Sequence, residues 1–406
     1  MLARQITVDE YVQSREEHTE ILHRSSKGWI TLADINNGEY KQWHYKYKDL
    51  IRAVGDNNYY ISQNTFYKPQ RRIENLKELS HLYIDIDCYN TRYSKDDVID
   101  MLEKDCFSRT IPIPNLIIDS GRGLYLIWNI KAVPKMALPL WKAVENYLYN
   151  QLKEFGADPR ATDPTRILRV AGTVNTKSNT VVKILEKYDY EYTLREIQNE
   201  YLPEIKPKKM KSKGRPKTVV SLFNKYSLNH ARLEDLVKIC ELRKYEVVGF
   251  RETILFLYRY WTCCFVSDTQ EALRMTLELN EMFRQALRSK EVERATQSAE
   301  RAYLSKDKEY KYKNCTLIEL LDISEEEQEQ LKTIIGIKEK YKRKNNIRNA
   351  NRRNEEGLTK REQEKRDTIN NVRELKERGF KQKEIAEKLG LSKGRVSQII
   401  KEIKKV

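Results

Sequence analysis

The hexapeptide Leu82-Tyr-Ile-Asp85-Ile-Asp87 alternates acids with apolar residues, and residues i and i+2 of a strand point to one face. Asp85 and Asp87 therefore project together, at the end of a strand whose Leu82, Ile84 and Ile86 face a core. Two carboxylates so placed are costly without compensating cations. A pair of divalent ions, Mg2+ or Mn2+, would compensate them, and two-metal sites drive in-line phosphoryl transfer. A solvent-exposed strand end is the other explanation of the same acids. Further on, Arg166-Ile-Leu-Arg169 stands beside an acid and is followed by Gly172-Thr173 and a lysine. A core seldom needs such a set; surface ion pairing is the alternative.

Positioning such a strand end takes a sheet. Leu82 to Asp87 and Asn115 to Ile118 read as buried strands, Ser120-Gly-Arg-Gly123 as a turn, and Leu124-Tyr-Leu-Ile-Trp128 as a strand closing a hairpin. Leu140, Val144, Leu148 and Leu152 recur every fourth position, which predicts a helix stopped by Gly156, and Ile167 to Val170 reads as another strand. The mixture predicts an α+β domain over residues 1–200. Pro203 to Lys217 combines prolines, a glycine and a run of lysines that cannot build a core, which predicts a linker over 201–220. From 221 to 335 nearly every segment reads as helix, with amphipathic stretches at Arg251 to Cys264 and Gln270 to Ala286. Capping boxes follow at Thr316-Leu-Ile-Glu319 and Ser324-Glu-Glu-Glu327, and the expectation is an all-α bundle. Residues 336–365 carry Lys338, Lys340, Lys342, Arg343, Lys344, Arg348, Arg352 and Arg353 with few apolar positions, so they read as a basic helix or arm.

Three segments in order resemble the archaeo-eukaryotic primase superfamily, the primase-polymerase type of plasmid and phage replication proteins. They are the strand ending in Asp85-Ile-Asp87, the hairpin Asp119 to Trp128, and the stretch Gly156 to Lys177, together about a quarter of the chain. The resemblance implies a primase-polymerase-like catalytic domain in which Asp85, Asp87 and a later acid hold the metals. It puts that acid on Asp158, with Asp163 as the fallback. It also implies that Arg166 and Arg169 bind the triphosphate of an incoming nucleotide, with Asn175 and Lys177 assisting. Many members have a histidine where this chain has Tyr125. A phenol still donates a hydrogen bond to a phosphate but lacks the titratable charge of imidazole; a core-facing aromatic is the other reading of Tyr125.

Residues 366–406 have the spacing of a helix-turn-helix. Small Ala386 lets two helices approach, Gly390 supplies the turn, Ile385, Leu389, Leu391, Val396 and Ile399 fill the angle, and Ser392 caps the second helix. Lys393, Arg395, Ser397, Gln398 and Lys401 are left outward for phosphates and base edges. The segment resembles the helix-turn-helix of resolvases, sigma factors and other bacterial regulators, and a preceding helix from Arg366 to Arg378 completes a three-helix unit.

The whole chain agrees with a polyanionic partner: 406 residues carry a formal net charge of +16. No run of 18 apolar residues and no apolar leader is present, so a cytoplasmic protein without membrane attachment is expected. Its six cysteines include no C-x-x-C pair and read as reduced thiols. No G-x-x-x-x-G-K-[ST] loop occurs, so unwinding falls to a host replicative helicase. The expected function is plasmid replication initiation, with double-stranded origin DNA, single-stranded template DNA and nucleoside triphosphates as partners. The competing reading is a non-enzymatic origin binder or regulator that keeps the primase fold as a scaffold.

Overall fold

The computed structural model describes residues 8–36, 38–202, 219–266, 268–305 and 310–403. Residues 203–218 of the expected 201–220 linker lie outside them, while Tyr201 ends one helix and Val219 begins the next. The chain divides into two compact units, Met1–Ile334 and Ile335–Val406.

The first unit begins with the helix Val8–His23 and eleven strands: β1 Ile30–Asn36, β2 Glu39–Tyr45, β3 Tyr59–Ser62, β4 Thr65–Phe66, β5 Leu76–Ile86, β6 Leu116–Asp119, β7 Leu124–Pro134, β8 Ile167–Arg169, β9 Val174–Asn175, β10 Thr180–Val181 and β11 Lys183–Lys187. They form a five-stranded sheet in the order β11-β6-β7-β5-β4, a four-stranded sheet in the order β2-β1-β3-β8, and the small pair β10-β9. The predicted hairpin is β6-β7, and it lies directly beside β5. β5 sits inside the sheet, so both its faces are covered: Tyr83 is as fully buried as Leu82, Ile84 and Ile86.

The helix Leu138–Leu152 packs on β5. Trp141 donates its indole N–H to the His81 carbonyl at 2.7 Å, and its ring lies 5.8 Å from that of Tyr83. Its buried stripe runs through Leu138, Trp141, Val144, Leu148 and Leu152, so Trp141 takes the place expected for Leu140. A short 3-10 turn then ends at Gly156, which is left-handed at φ +93°. The helix Lys95–Asp105, which the apolar spacing did not reveal, starts in a capping box between Ser94 and Asp97.

The remainder of this unit is helical: Val219–Leu242, Arg251–Cys263, Thr269–Glu281, Ser289–Leu304, Asn314–Leu320 and Glu325–Gln330. Arg251–Cys263 is less an amphipathic helix than a central one, buried at Ile254, Leu255 and every residue from Leu257 to Cys263. The Ser324 box forms as predicted. The one expected at Thr316 does not, because the helix already begins at Asn314 and Thr316 falls inside it. The helical part is held to the strands by charge. Arg71, 2% exposed in its side chain, lies 2.8 Å from Glu271, and Tyr258 donates to Glu74 at 3.1 Å.

The second unit contains Ile337–Ala350, Lys360–Glu377, Gln382–Leu389 and Lys393–Ile403. Ile337–Ala350 buries no residue. Lys360–Glu377 begins one and a half turns before the predicted Arg366, because Thr359 and Glu362 form a capping box. Val372, Ile385, Ala386, Val396, Ile399 and Ile400 make the core, flanked by Ile369, Leu375, Phe380, Leu389, Leu391 and Ile403. All six cysteines are free thiols, and no helix among the described residues is long and apolar enough to cross a membrane.

Candidate functional site

Strand register assembles the site. Asp85 pairs with Tyr125 across β5-β7, and Tyr125 pairs with Ile118 across β7-β6, so the three share one face of the sheet. Main-chain hydrogen bonds then bring in the third acid. The Asp87 N–H donates to the Gly156 carbonyl at 2.9 Å, and the Asp158 N–H donates to the Asp85 carbonyl at 2.8 Å. The segment after Gly156 is thereby clamped along the end of β5, and Asp158 stands beside Asp85 and Asp87. The glycine turn is equally constrained, since a Cβ on Gly123 would lie 2.0 Å from the Ile86 carbonyl oxygen.

Burial is the main force on Asp85. With repulsion from Asp87 and Asp158 it pushes the carboxyl up to about 7, against the pull of Arg166 and Arg169. Asp87 is also raised, by burial and then by Asp158. Asp163 is placed differently. It is 1% exposed, and its carboxylate accepts from the Thr165 N–H at 3.0 Å and the Thr165 hydroxyl at 2.7 Å. Its carbonyl accepts from the Tyr83 hydroxyl. Asp163 thus shapes the turn ahead of Arg166, and Asp158 is the acid whose backbone pairs with Asp85 at the end of β5, with Asp87 one residue beyond the strand.

Arg166 lies 3.7 Å from Asp158 and 3.9 Å from Asp163. Arg169, on β8, lies over the Tyr60 ring at 4.8 Å and hydrogen-bonds the Tyr125 hydroxyl. The buried Nε atoms of Arg166 and Arg169 have no hydrogen-bond partner among the described residues, as is also true of Arg71, Arg72, Arg232 and Arg259. Tyr125 is 3% exposed, and burial raises its phenol above the ordinary range. Asn175 is buried and donates its amide to the Ser120 carbonyl at 2.8 Å, pinning the glycine turn, while Lys177 is exposed on the neighbouring β9-β10 hairpin.

The chemistry of the donors suits a divalent cation: burial and like charge oppose ionisation of Asp85 and Asp87, and a cation would relieve both. Among the described residues no three Asp, Glu, His or Cys side chains are placed to hold a metal ion unaided. An ion of the Mg2+ kind commonly takes one or two carboxylates and completes its shell with substrate phosphates and water. Sequence reasoning missed Tyr60, Tyr89, Arg122 and Arg71. Tyr89 and Arg122 had a readable signal, an aromatic two residues past the acids and an arginine between two glycines. Tyr60 becomes a neighbour of the site only through the second sheet, and Arg71 only through its loop after β4, which reaches the Thr165 carbonyl.

In the second unit Gly390 is left-handed at φ +63°, and the Ser392 hydroxyl accepts from the Arg395 N–H at 3.2 Å, as the cap requires. Lys393, Gln398 and Lys401 are exposed and Arg395 and Ser397 partly so, while Val396, Ile399 and Ile400 of the same helix are buried in the core.

The family model described as Sigma-70, region 4 matches residues 358–403. Solved structures with a similar course of chain are the AEP domain of the cyanophage S-2L primase-polymerase and two structures of primase RepB′. The cyanophage domain is 16% identical, with 47% of this chain and 98% of that one covered and a TM-score of 0.37. The catalytic domain of RepB′ in complex with initiator DNA is 15% identical, with 47% and 93% covered and a TM-score of 0.32. RepB′ itself is 12% identical, with 71% and 94% covered and a TM-score of 0.32. A replication protein of Clostridium perfringens is 57% identical over 326 residues, 80% of each chain. At that identity and coverage, the chain belongs to the same family of replication proteins.

Proposed function

We propose that this replication protein is a primase-type initiator, a metal-dependent nucleotidyl transferase that is brought to duplex origin DNA, on a plasmid, by its C-terminal helix-turn-helix. The observation that carries this reading is the main-chain pairing of Asp158 with the end of β5, which gathers three acids opposite two under-satisfied arginines. Asp85, Asp87 and Asp158 would hold Mg2+ or Mn2+. Bound there, the ion would neutralise charge on the attacking hydroxyl and the leaving phosphate. Arg166 and Arg169 bind the equatorial oxygens of the triphosphate, and Tyr125 orients Arg169. Lys177, exposed beside the glycine turn, adds a cation for the same phosphates. Host helicase supplies unwinding. The test is template-directed incorporation by the purified full chain with nucleoside triphosphates and Mn2+ or Mg2+: product should appear and vanish with chelator. A second reading, an origin binder that keeps the fold as a scaffold, draws on Tyr125, buried and engaged by Arg169 where a titrating group would serve polymerisation. Origin binding without any incorporation would favour it.

Arg166→Lys and Arg169→Lys keep the charge but lose the planar fork, so nucleotide affinity should fall about tenfold, the loss of one charged hydrogen bond. Titration with a fluorescent triphosphate measures it, and unchanged affinity in both variants would remove the arginines from this role.

The helix-turn-helix and the basic helix divide the DNA contacts. Arg395→Ala should cost roughly 1–3 kcal/mol on the origin duplex, if it reads a base, and little on a scrambled one. Changing Lys342, Arg343 and Lys344 together to Ala should weaken both duplexes alike and lower the salt slope by about 0.9 per lost phosphate contact. Binding isotherms at several salt concentrations separate the two effects; an equal loss on both duplexes for Arg395→Ala would reverse the assignment.

A further inference from the structure

Beyond the acids themselves, Tyr89 on the segment that leaves β5 and Arg122 in the β6-β7 turn form a stacked pair. The Arg122 guanidinium lies 3.8 Å over the Tyr89 ring. Arg122 is exposed, and half of the Tyr89 surface (50%) is open to solvent. The Tyr89 hydroxyl donates to Asp87 at 3.3 Å, so the ring is seated at the edge of the acidic site. A second pair repeats the chemistry nearby, with the Arg92 guanidinium 5.0 Å over the Tyr93 ring.

The mounting of Arg122 is rigid. Its turn is closed by the Ser120 N–H donating to the Gly123 carbonyl at 2.9 Å, by the Gly121 N–H donating to Asp119 at 2.8 Å, and by the Asn175 amide on the Ser120 carbonyl. Lys95 in turn holds Asp119 at 2.5 Å. A large aromatic surface and a guanidinium are therefore displayed to solvent on fixed backbone, where a stability role alone would favour burial.

The two ends of the site differ. Arg169 lies over the Tyr60 ring at 4.8 Å, whereas Arg122 lies over the Tyr89 ring, whose hydroxyl reaches Asp87. With Arg166 and Arg169 committed to a triphosphate, the Arg122 end has the makings of a base platform, because aromatic rings and guanidinium planes stack on unpaired bases of any sequence and the cation also meets a phosphate.

We infer that Tyr89 and Arg122 form a stacking site for an unpaired base of single-stranded nucleic acid beside the acids. The inference takes its orientation from the nucleotidyl-transfer reading, but its test needs neither metal nor nucleotide. Single-stranded oligonucleotides carrying 5-iodouracil at successive positions are bound to the full chain in chelator, irradiated, and the crosslinked peptide mapped. The crosslink should fall on Tyr89. Single-strand affinity, followed by fluorescence anisotropy, should drop about tenfold in Tyr89→Leu and in Arg122→Ala. Tyr89→Phe keeps the ring and loses only the bond to Asp87, so it should retain both the crosslink and the affinity. Crosslinks confined to other segments, with wild-type affinity in Tyr89→Leu and Arg122→Ala, would overturn the inference. So would labelling of Tyr89 by 5-iodo-deoxyuridine triphosphate alone, which would make it part of the nucleotide pocket. A wild-type chain that incorporates no nucleotide yet crosslinks at Tyr89 would reject the enzymatic reading and leave this site standing.

Discussion

Replacing Asp85 and Asp87 together by alanine is expected to lower nucleotide incorporation by at least about a thousandfold, because a bound divalent ion is worth several kcal/mol of transition-state stabilisation. Stability should not fall with it. No protein group among the described residues hydrogen-bonds the Asp85 carboxylate, and burial and like charge oppose its ionisation. Asp87 loses only the 3.3 Å bond from Tyr89. The double variant should therefore match the wild type in thermal unfolding and in duplex binding while failing in primer synthesis. Incorporation within about tenfold of wild type would end the enzymatic reading; loss of folding together with activity would show that the acids are structural.

The second large effect belongs to Arg71. Its guanidinium donates to the Thr165 carbonyl at 2.9 Å and to the Tyr40 hydroxyl at 2.9 Å, and it pairs with Glu271 from the helix Thr269–Glu281. Arg274 pairs with the same carboxylate at 2.6 Å. Arg71→Met leaves the partly buried Glu271 paired with Arg274 alone and strands the Thr165 carbonyl, so unfolding free energy should drop by about 3 kcal/mol. The acid limb of the stability curve tests the cause. Burial opposes ionisation of Glu271, but Arg71 and then Arg274 outweigh it and hold the carboxyl at about 2, below its ordinary 4.5. A depressed carboxyl contributes stability that is present above 4.5 and lost as pH falls towards 2. Urea unfolding of the wild type should weaken across that window, and Arg71→Met should show a smaller loss there. An unchanged midpoint at pH 7 would mean that the pair breaks even against its desolvation.

The local features of the site were legible because they depend on short spacing. Alternation alone puts Asp85 on a strand face, although β5 ends at Ile86 and Asp87 follows it at the start of a 3-10 turn; Gly390 and Ser392 mark the helix-turn-helix by turn and cap chemistry, and Gly156 ends a helix. Contacts between distant segments were not legible. Asp158 reaches β5 through main-chain hydrogen bonds, which no side-chain pattern announces, and only the resemblance preferred it to Asp163. The sheet β2-β1-β3-β8 carries Tyr60 to Arg169 through strands of mixed, partly exposed residues whose periodicity is weak. Thr316 shows the opposite failure: a hydroxyl three residues before a glutamate fits the box, but the helix starts earlier and the motif falls in its interior.

The clamp that seats Asp158 uses the amides of Asp87 and Asp158 and the carbonyls of Gly156 and Asp85, atoms that every residue type except proline retains. The clamp itself therefore does not depend on the carboxylates, although the Asp158 side chain also accepts from the Arg160 N–H at 2.9 Å. In evolutionary terms the pairing of this segment with β5 is separable from the acids: a lineage that lost the carboxylates by drift would keep the same main-chain bonds.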